Sequence, residues 1–293
     1  MPALLLASLM AASASGKSVK AAPKWPPKPK PQKTLQRAPD IRVDCATVRN
    51  SPVSPLVNWT RSDYAQFAAQ PAGAEHYKLL SHLASQVGAG TTIVEVGTRY
   101  GAGALTLSGA APAATVHTID QPISREFEDE VVAKSKPRPT VLRGGSGAEG
   151  SVTVYSEFPK IHFHKATILA QPDGAAAQQV YKARFVLLDT LHEPEAHPFE
   201  YEFLALLGRR NFRGLLMLDD IHLNAEMRRL WDALYWGKVP GLPLHKYALY
   251  DATAVGHFSG SGLVDFQPSH DKSPLPYALC ESVWGRVKRL FAG

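Results

Sequence analysis

Three carboxylates, one histidine and a glycine-rich turn are the residues whose types and spacing point most directly to chemistry. Asp189 follows the apolar run Phe185-Val-Leu-Leu, and Asp219-Asp220 follow Gly214-Leu-Leu-Met-Leu. If the two runs are adjacent parallel strands, the acids meet at the carboxyl edge of the sheet, where open α/β sheets bind their ligands. Carboxylates crowded there repel one another and raise one another's pKa unless a cation compensates. A hard divalent ion such as Mg²⁺ accepts oxygen ligands and needs few of them from protein, which makes Asp189, Asp219 and Asp220 the candidate metal set. The competing reading has Asp220 capping the next helix and Asp219 bonded within its own loop. His192, three residues beyond Asp189, can take a proton from a hydroxyl near neutral pH, and could equally serve as a metal ligand or substrate contact. His192 and Asp189 are the candidate catalytic pair, and His222 and His257 the candidate contacts to a substrate. His76 and His82 are expected only to flank a cleft or face solvent. His162 and His164 share one strand face with no cysteine or carboxylate to make a zinc site of them.

The glycine turn runs Ile93-Val-Glu95-Val-Gly97-Thr98-Arg99-Tyr100-Gly101-Ala-Gly103, from a β-branched stretch into an Ala/Leu helix. Glycines there let the backbone approach a ligand, and the helix start offers free N–H groups. The next strand ends in Asp120, 25 residues after Glu95, where a carboxylate can accept both hydroxyls of a ribose. Glycine spacing of this kind also fits nicotinamide-dependent short-chain dehydrogenases, but those use a Tyr-x3-Lys pair. None of the ten tyrosines here has Lys four residues on.

Elements must position these groups. A helix is expected over 73–88, with Tyr77, Leu80, Leu83, Ala84 and Val87 on one face. Strands are expected at 91–96, 115–119, 161–165, 184–188, 214–218, 246–252 and 261–266, with helices near 124–134, 195–208, 223–236 and 279–291. Alternation of this sort predicts an α/β domain with a mostly parallel, Rossmann-like sheet. The Pro/Gly/Ser-rich stretch 135–158 reads as an insertion loop, and 256–266 as a hairpin between the last two strands.

The chain of 293 residues carries a net charge of +6, but the charge is concentrated at one end. Residues 1–50 hold nine basic and two acidic residues, leaving 23 basic and 24 acidic residues in 51–293. The body is therefore close to neutral, which removes the main reason to expect a nucleic-acid partner. Residues 1–50 read as a targeting or solvated leader: an apolar run at 3–12, a small-residue stretch, then a Lys/Pro spacer. The run is too short to span a bilayer and suits either a secretory signal or an organelle transit peptide, and no window of the body reaches transmembrane length. Residues 51–293 form the expected catalytic domain. Cys45 and Cys280 could form at most one bridge.

Glu95-Val-Gly97-Thr-Arg-Tyr-Gly101-Ala-Gly103-Ala resembles the first motif of class I S-adenosylmethionine-dependent methyltransferases, in the catechol O-methyltransferase-like and cephalosporin-hydroxylase-like branches. The likeness continues through Phe185–His192 and Gly214–His222, and spans about 73–266. It implies a seven-stranded sheet with an antiparallel last strand, and S-adenosylmethionine on Glu95, Gly97, Thr98, Arg99, Tyr100, Gly101 and Asp120. It further implies Mg²⁺ on the acids, His192 as base where catechol-type enzymes carry Lys, and a small hydroxylated acceptor, sugar or phenol. Lys165-Ala-Thr stands where the family often has an adenine-contacting Asp. The rival expectations are an NAD(P)-binding oxidoreductase, a metal-dependent hydroxylase or esterase on the same scaffold, and a non-catalytic cofactor-binding module; a homodimer is left open.

Overall fold

The computed structural model describes residues 34–37, 41–59, 62–98, 101–120, 152–153, 158, 160–190, 199–243, 247–252, 259–267 and 276–278. In chain order the elements are β1 (Thr34–Arg37), β2 (Ile41–Asp44), α1 (Cys45–Asn50), a 3₁₀ turn (Pro55–Trp59), α2 (Ser62–Ala69) and α3 (Pro71–Ser85). There follow β3 (Thr92–Val96), α4 (Ala102–Ala110), β4 (Thr115–Asp120), β5 (Val152–Thr153), β6 (Ile161–Lys165), α5 (Ala175–Lys182), β7 (Phe185–Leu188) and α6 (Phe199–Arg209). The chain continues through β8 (Leu215–Leu218), α7 (Ala225–Tyr235), β9 (Ala248–Asp251), β10 (Gly262–Asp265) and β11 (Pro276–Ala278).

Seven strands in the order β9-β10-β8-β7-β3-β4-β6 make up the expected sheet, with the short β11 beside β9 and β5 beside β6 at its edges. β3, β4, β6, β7 and β8 pair in parallel, and β10 is antiparallel to both β8 and β9. The sequence expectation of an α/β sheet with an antiparallel last strand is therefore met, with two short additions.

Period-2 alternation divides the core between the two faces of the sheet. Phe185, Leu187, Leu215 and Met217 pack with Leu80, Leu83 and Leu105 from α3 and α4. Val186, Leu188, Leu216 and Leu218 pack with Val180, Phe203, Leu207, Leu230 and Trp231 from α5, α6 and α7. Central strands buried on both sides explain the near-continuous apolar runs of β7 and β8.

Val43 and Val48 are both 0% exposed and belong to the first of these clusters, so β2 and α1 pack against the body. A single buried valine per short element leaves no periodic pattern in the sequence. Residues 1–33 and 38–40 of the leader, most of the insertion, Cys280 and the helices expected at 124–134 and 279–291 lie outside the described residues. No helix among the described residues is long and apolar enough to cross a membrane.

Candidate active site

Parallel register brings the functional groups to one edge. Val96 pairs with Leu188 and Leu188 with Leu218, so the next residues, Gly97, Asp189 and Asp219, leave three adjacent strands side by side. The backbone ladder continues one step past the strands: Asp189 N–H donates to Val96 O at 2.9 Å, Asp219 N–H to Leu188 O at 3.0 Å, and Gly97 N–H to Ile119 O at 2.8 Å. Asp120 closes β4 one residue beyond Ile119.

Gly97 must be glycine. Its φ is 101°, and a Cβ would lie 1.7 Å from the Asp189 carbonyl oxygen. Gly101, at φ 74°, is the N-cap of α4, and its N–H donates to Thr98 O at 2.7 Å to close the turn. Below the turn lies Glu95, 2% exposed. Thr118 Oγ1 donates to Glu95 Oε2 at 2.5 Å, and Thr98 Oγ1 in turn donates to Thr118 Oγ1 at 2.6 Å. The other carboxylate oxygen sits where a Cβ on Gly103 would be, 1.9 Å away, so the glycine at 103 makes room for the acid. Burial pushes the Glu95 carboxyl well above the usual carboxylate range; the Thr118 hydrogen bond opposes this, the charges of Asp189 and Asp120 add to it, and the Ala104 N–H opposes it. Glu95 thus braces the turn from beneath, joining β3, β4 and the first turn of α4.

The acidic pair has a partner from the helix before the first motif. Among the described residues, His76, Asp189 and Asp219 each offer a ligand atom within 4.8 Å of the others. His76 Nδ1 is 3.2 Å from Asp219 Oδ1, and Ser261 Oγ donates to the same Asp219 oxygen at 3.1 Å. His76 is 4% exposed and Asp219 is also buried. The expectation that His76 merely flanks the cleft is corrected: it lies on the stripe His76, Leu80, Leu83, at i, i+4 and i+7, which α3 turns toward the core. That stripe was readable in the sequence. Ser261 carried no such signal, because its contact depends on β10 docking against β8.

Asp220 does not join this group. Its φ is 55°, a left-handed backbone conformation directly after Asp219. Nor does it cap the next helix: Asn224 is the N-cap of α7, accepting from Met227 N–H at 2.9 Å. His222 is half-buried, its Nε2 3.7 Å from Asp251 Oδ2 at the end of β9, which puts it at the same edge of the sheet. Thr190 Oγ1 donates to the buried Glu200 at the start of α6, fixing the residue directly after Asp189. His192, Arg99, Tyr100, His257 and the neighbouring Phe258 lie outside the described residues. A hollow of about 770 Å³ beside Tyr201, Arg209 and Arg210 is lined by none of the site residues.

No protein-family model matches the chain, and no curated protein matches it. Among solved structures it is similar to the O-methyltransferase TomG from Streptomyces achromogenes, in complex with SAM, with 14% identity and a TM-score of 0.46 over 75% of this chain and 92% of that one. It is also similar to the SAH-bound methyltransferase PaMTH1 from Podospora anserina, with 10% identity and a TM-score of 0.43 over 76% and 93% of the two chains.

Proposed function

We propose that the protein is an S-adenosylmethionine-dependent O-methyltransferase acting on a small hydroxylated acceptor, a sugar or a phenol. The observation that carries the reading is the juxtaposition at one sheet edge of the Gly97–Gly101 turn, Asp120 at the end of the neighbouring strand, and the Asp189/Asp219 pair on the other side. Gly97 and Gly101 open the backbone to the amino-acid part of the cofactor, and the first N–H groups of α4 meet its carboxylate. Thr98 belongs to the same wall, and Arg99 and Tyr100 are assigned to the cofactor from the spacing of the sequence motif alone. Asp120 accepts the ribose hydroxyls. The bound cofactor supplies an electrophilic methyl group on a sulfonium sulfur. The chain's part is to align that methyl with the acceptor oxygen, since orientation alone can remove about 7–11 kcal/mol of a barrier.

His192 accepts the proton from the acceptor hydroxyl. Asp189 and Asp219 would hold a divalent ion, which would supply a lowered pKa to a hydroxyl bound beside it. Mg²⁺ is the ion that carboxylates alone would select. His222, at the same sheet edge, contacts the acceptor, and His257 is assigned to it from the sequence alone. The near-neutral body favours a small acceptor over nucleic acid, and the basic leader serves targeting.

Isothermal titration with S-adenosylmethionine and with NAD, each with and without divalent ion, tests the reading, followed by labelled-methyl transfer to a panel of sugars and phenols. Binding of the sulfonium cofactor but not NAD is expected; the reverse pattern would overturn it. Asp219→Asn is expected to lower metal-dependent turnover and leave cofactor affinity nearly unchanged.

A further inference from the structure

The resemblance in sequence supplies three acids for a metal. The structure supplies two acids and an imidazole. We propose that His76 is the third protein ligand at this edge, and that the site takes a first-row transition ion, of the Mn²⁺, Fe²⁺, Co²⁺ or Zn²⁺ class, in preference to Mg²⁺. This deepens the methyltransferase reading and rests on it only for the metal's role in turnover.

Geometry comes first. Ligand atoms arranged around one divalent ion at about 2.0–2.2 Å stand about 3–3.5 Å from one another. His76 Nδ1 and Asp219 Oδ1 are already 3.2 Å apart, and an Asp189 oxygen lies within 4.8 Å of both. Each ligand is also held in place. His76 projects from the second turn of the 15-residue α3, whose Leu80 and Leu83 are fully buried against the sheet. Asp219 is oriented by Ser261. Asp189 is anchored by its N–H on Val96 O and by the packing of Gly97 on its carbonyl. Oriented hydrogen bonds to ligating carboxylates are the outer-shell support that metal sites use.

Chemistry then selects the ion. Mg²⁺ demands oxygen and dehydrates reluctantly, whereas imidazole suits the borderline transition ions, whose affinity for nitrogen-containing sites rises along the first row. Replacing one carboxylate of the set by imidazole also lowers the negative charge by one, which weakens the pull on a hard ion. Asp220 is not among the groups whose ligand atoms lie within 4.8 Å of one another, so no third carboxylate among the described residues joins the set at that distance.

The test strips the full-length protein with chelator and titrates it with Mg²⁺, Mn²⁺ and Co²⁺ by calorimetry. Pulsed electron paramagnetic resonance of the Mn²⁺ form then looks for a nitrogen coupling. The wild type is expected to bind Mn²⁺ and Co²⁺ at least about tenfold more tightly than Mg²⁺ and to show the coupling. His76→Asn places an amide oxygen close to the position of Nδ1. It is expected to lose the coupling and to narrow the preference by about 10–100-fold while still binding metal. His76→Ala is expected to weaken all three ions. Equal affinity for Mg²⁺ and Mn²⁺, no metal binding, or a coupling that survives in His76→Asn would each overturn the proposal. S-adenosylmethionine titrated into the same samples separates the two claims. Cofactor binding without a His76-dependent metal preference refutes this inference alone, and absence of cofactor binding refutes the methyltransferase reading while leaving the metal results interpretable.

Discussion

Gly97 has no room for a side chain, because a Cβ would lie 1.7 Å from the Asp189 carbonyl oxygen at a φ of 101°. Gly97→Ala therefore combines steric overlap with backbone strain, and is expected to cost at least about 2 kcal/mol in urea unfolding and to weaken cofactor binding. Glu95 makes a prediction of opposite character. Its folded pKa is raised above the ordinary value, so its favourable contribution is complete below about pH 4.5 and is lost as pH rises through the folded pKa. Glu95→Gln should then gain in unfolding free energy relative to wild type as the pH is raised from 4.5 toward 8; a difference independent of pH would contradict the assignment. The acids at strand ends were legible in the sequence because an apolar run ending in Asp has few other places to put its charge. His76 was harder to see, since its meeting with Asp219 spans 143 positions and depends on where α3 crosses the sheet. The left-handed backbone conformation of Asp220 was not legible, because no glycine marks it.

At the scale of elements, the short apolar runs of β3, β7 and β8, their alternation with helical stretches and the glycine turn made the sheet legible, because strands buried on both faces read as continuous apolar runs. The helix α5 escaped notice. Its buried residues are Ala176, Ala177 and Val180, too small and too few to mark an apolar stripe over eight residues. β4 and β6 together carry an unusual feature for paired strands. His117 and His162 are register partners with stacked rings, and His117 Nδ1 shares a 2.8 Å hydrogen bond with His164 Nε2. Burial lowers the pKa of both His117 and His164 to about 4, with neighbouring imidazoles pushing the same way. The unfolded chain then binds protons first as pH falls from about 6.5, so stability declines between about pH 6.5 and 4. His164→Phe is expected to flatten that decline in a series of urea titrations, and an unchanged profile would show that the cluster does not set it. On the other side of the sheet, the approach to β10 matters through Ser261. Ser261→Ala removes the hydroxyl that orients Asp219, and should reduce metal affinity by about 10–100-fold without moving cofactor affinity.

The whole molecule separates its charge from its chemistry. The excess of basic residues lies in 1–50, and the body that carries the site is nearly neutral, with acids gathered where β3, β4, β7 and β8 end. That arrangement follows from the topology: parallel strands present all their carboxyl ends at one edge, and an antiparallel β10 inserted between β8 and β9 brings Ser261 back to it. The acceptor side is less legible, because the stretch 135–158 carries no sustained periodicity from which an element could be read. The central claim is that the Gly97 turn and Asp120 form a site for a sulfonium cofactor. Calorimetric titration of the full-length protein with S-adenosylmethionine, beside NAD as control, tests it most directly. One site per chain is expected, weakened at least about tenfold by Asp120→Ala. Absence of S-adenosylmethionine binding, or NAD binding in its place, would contradict it.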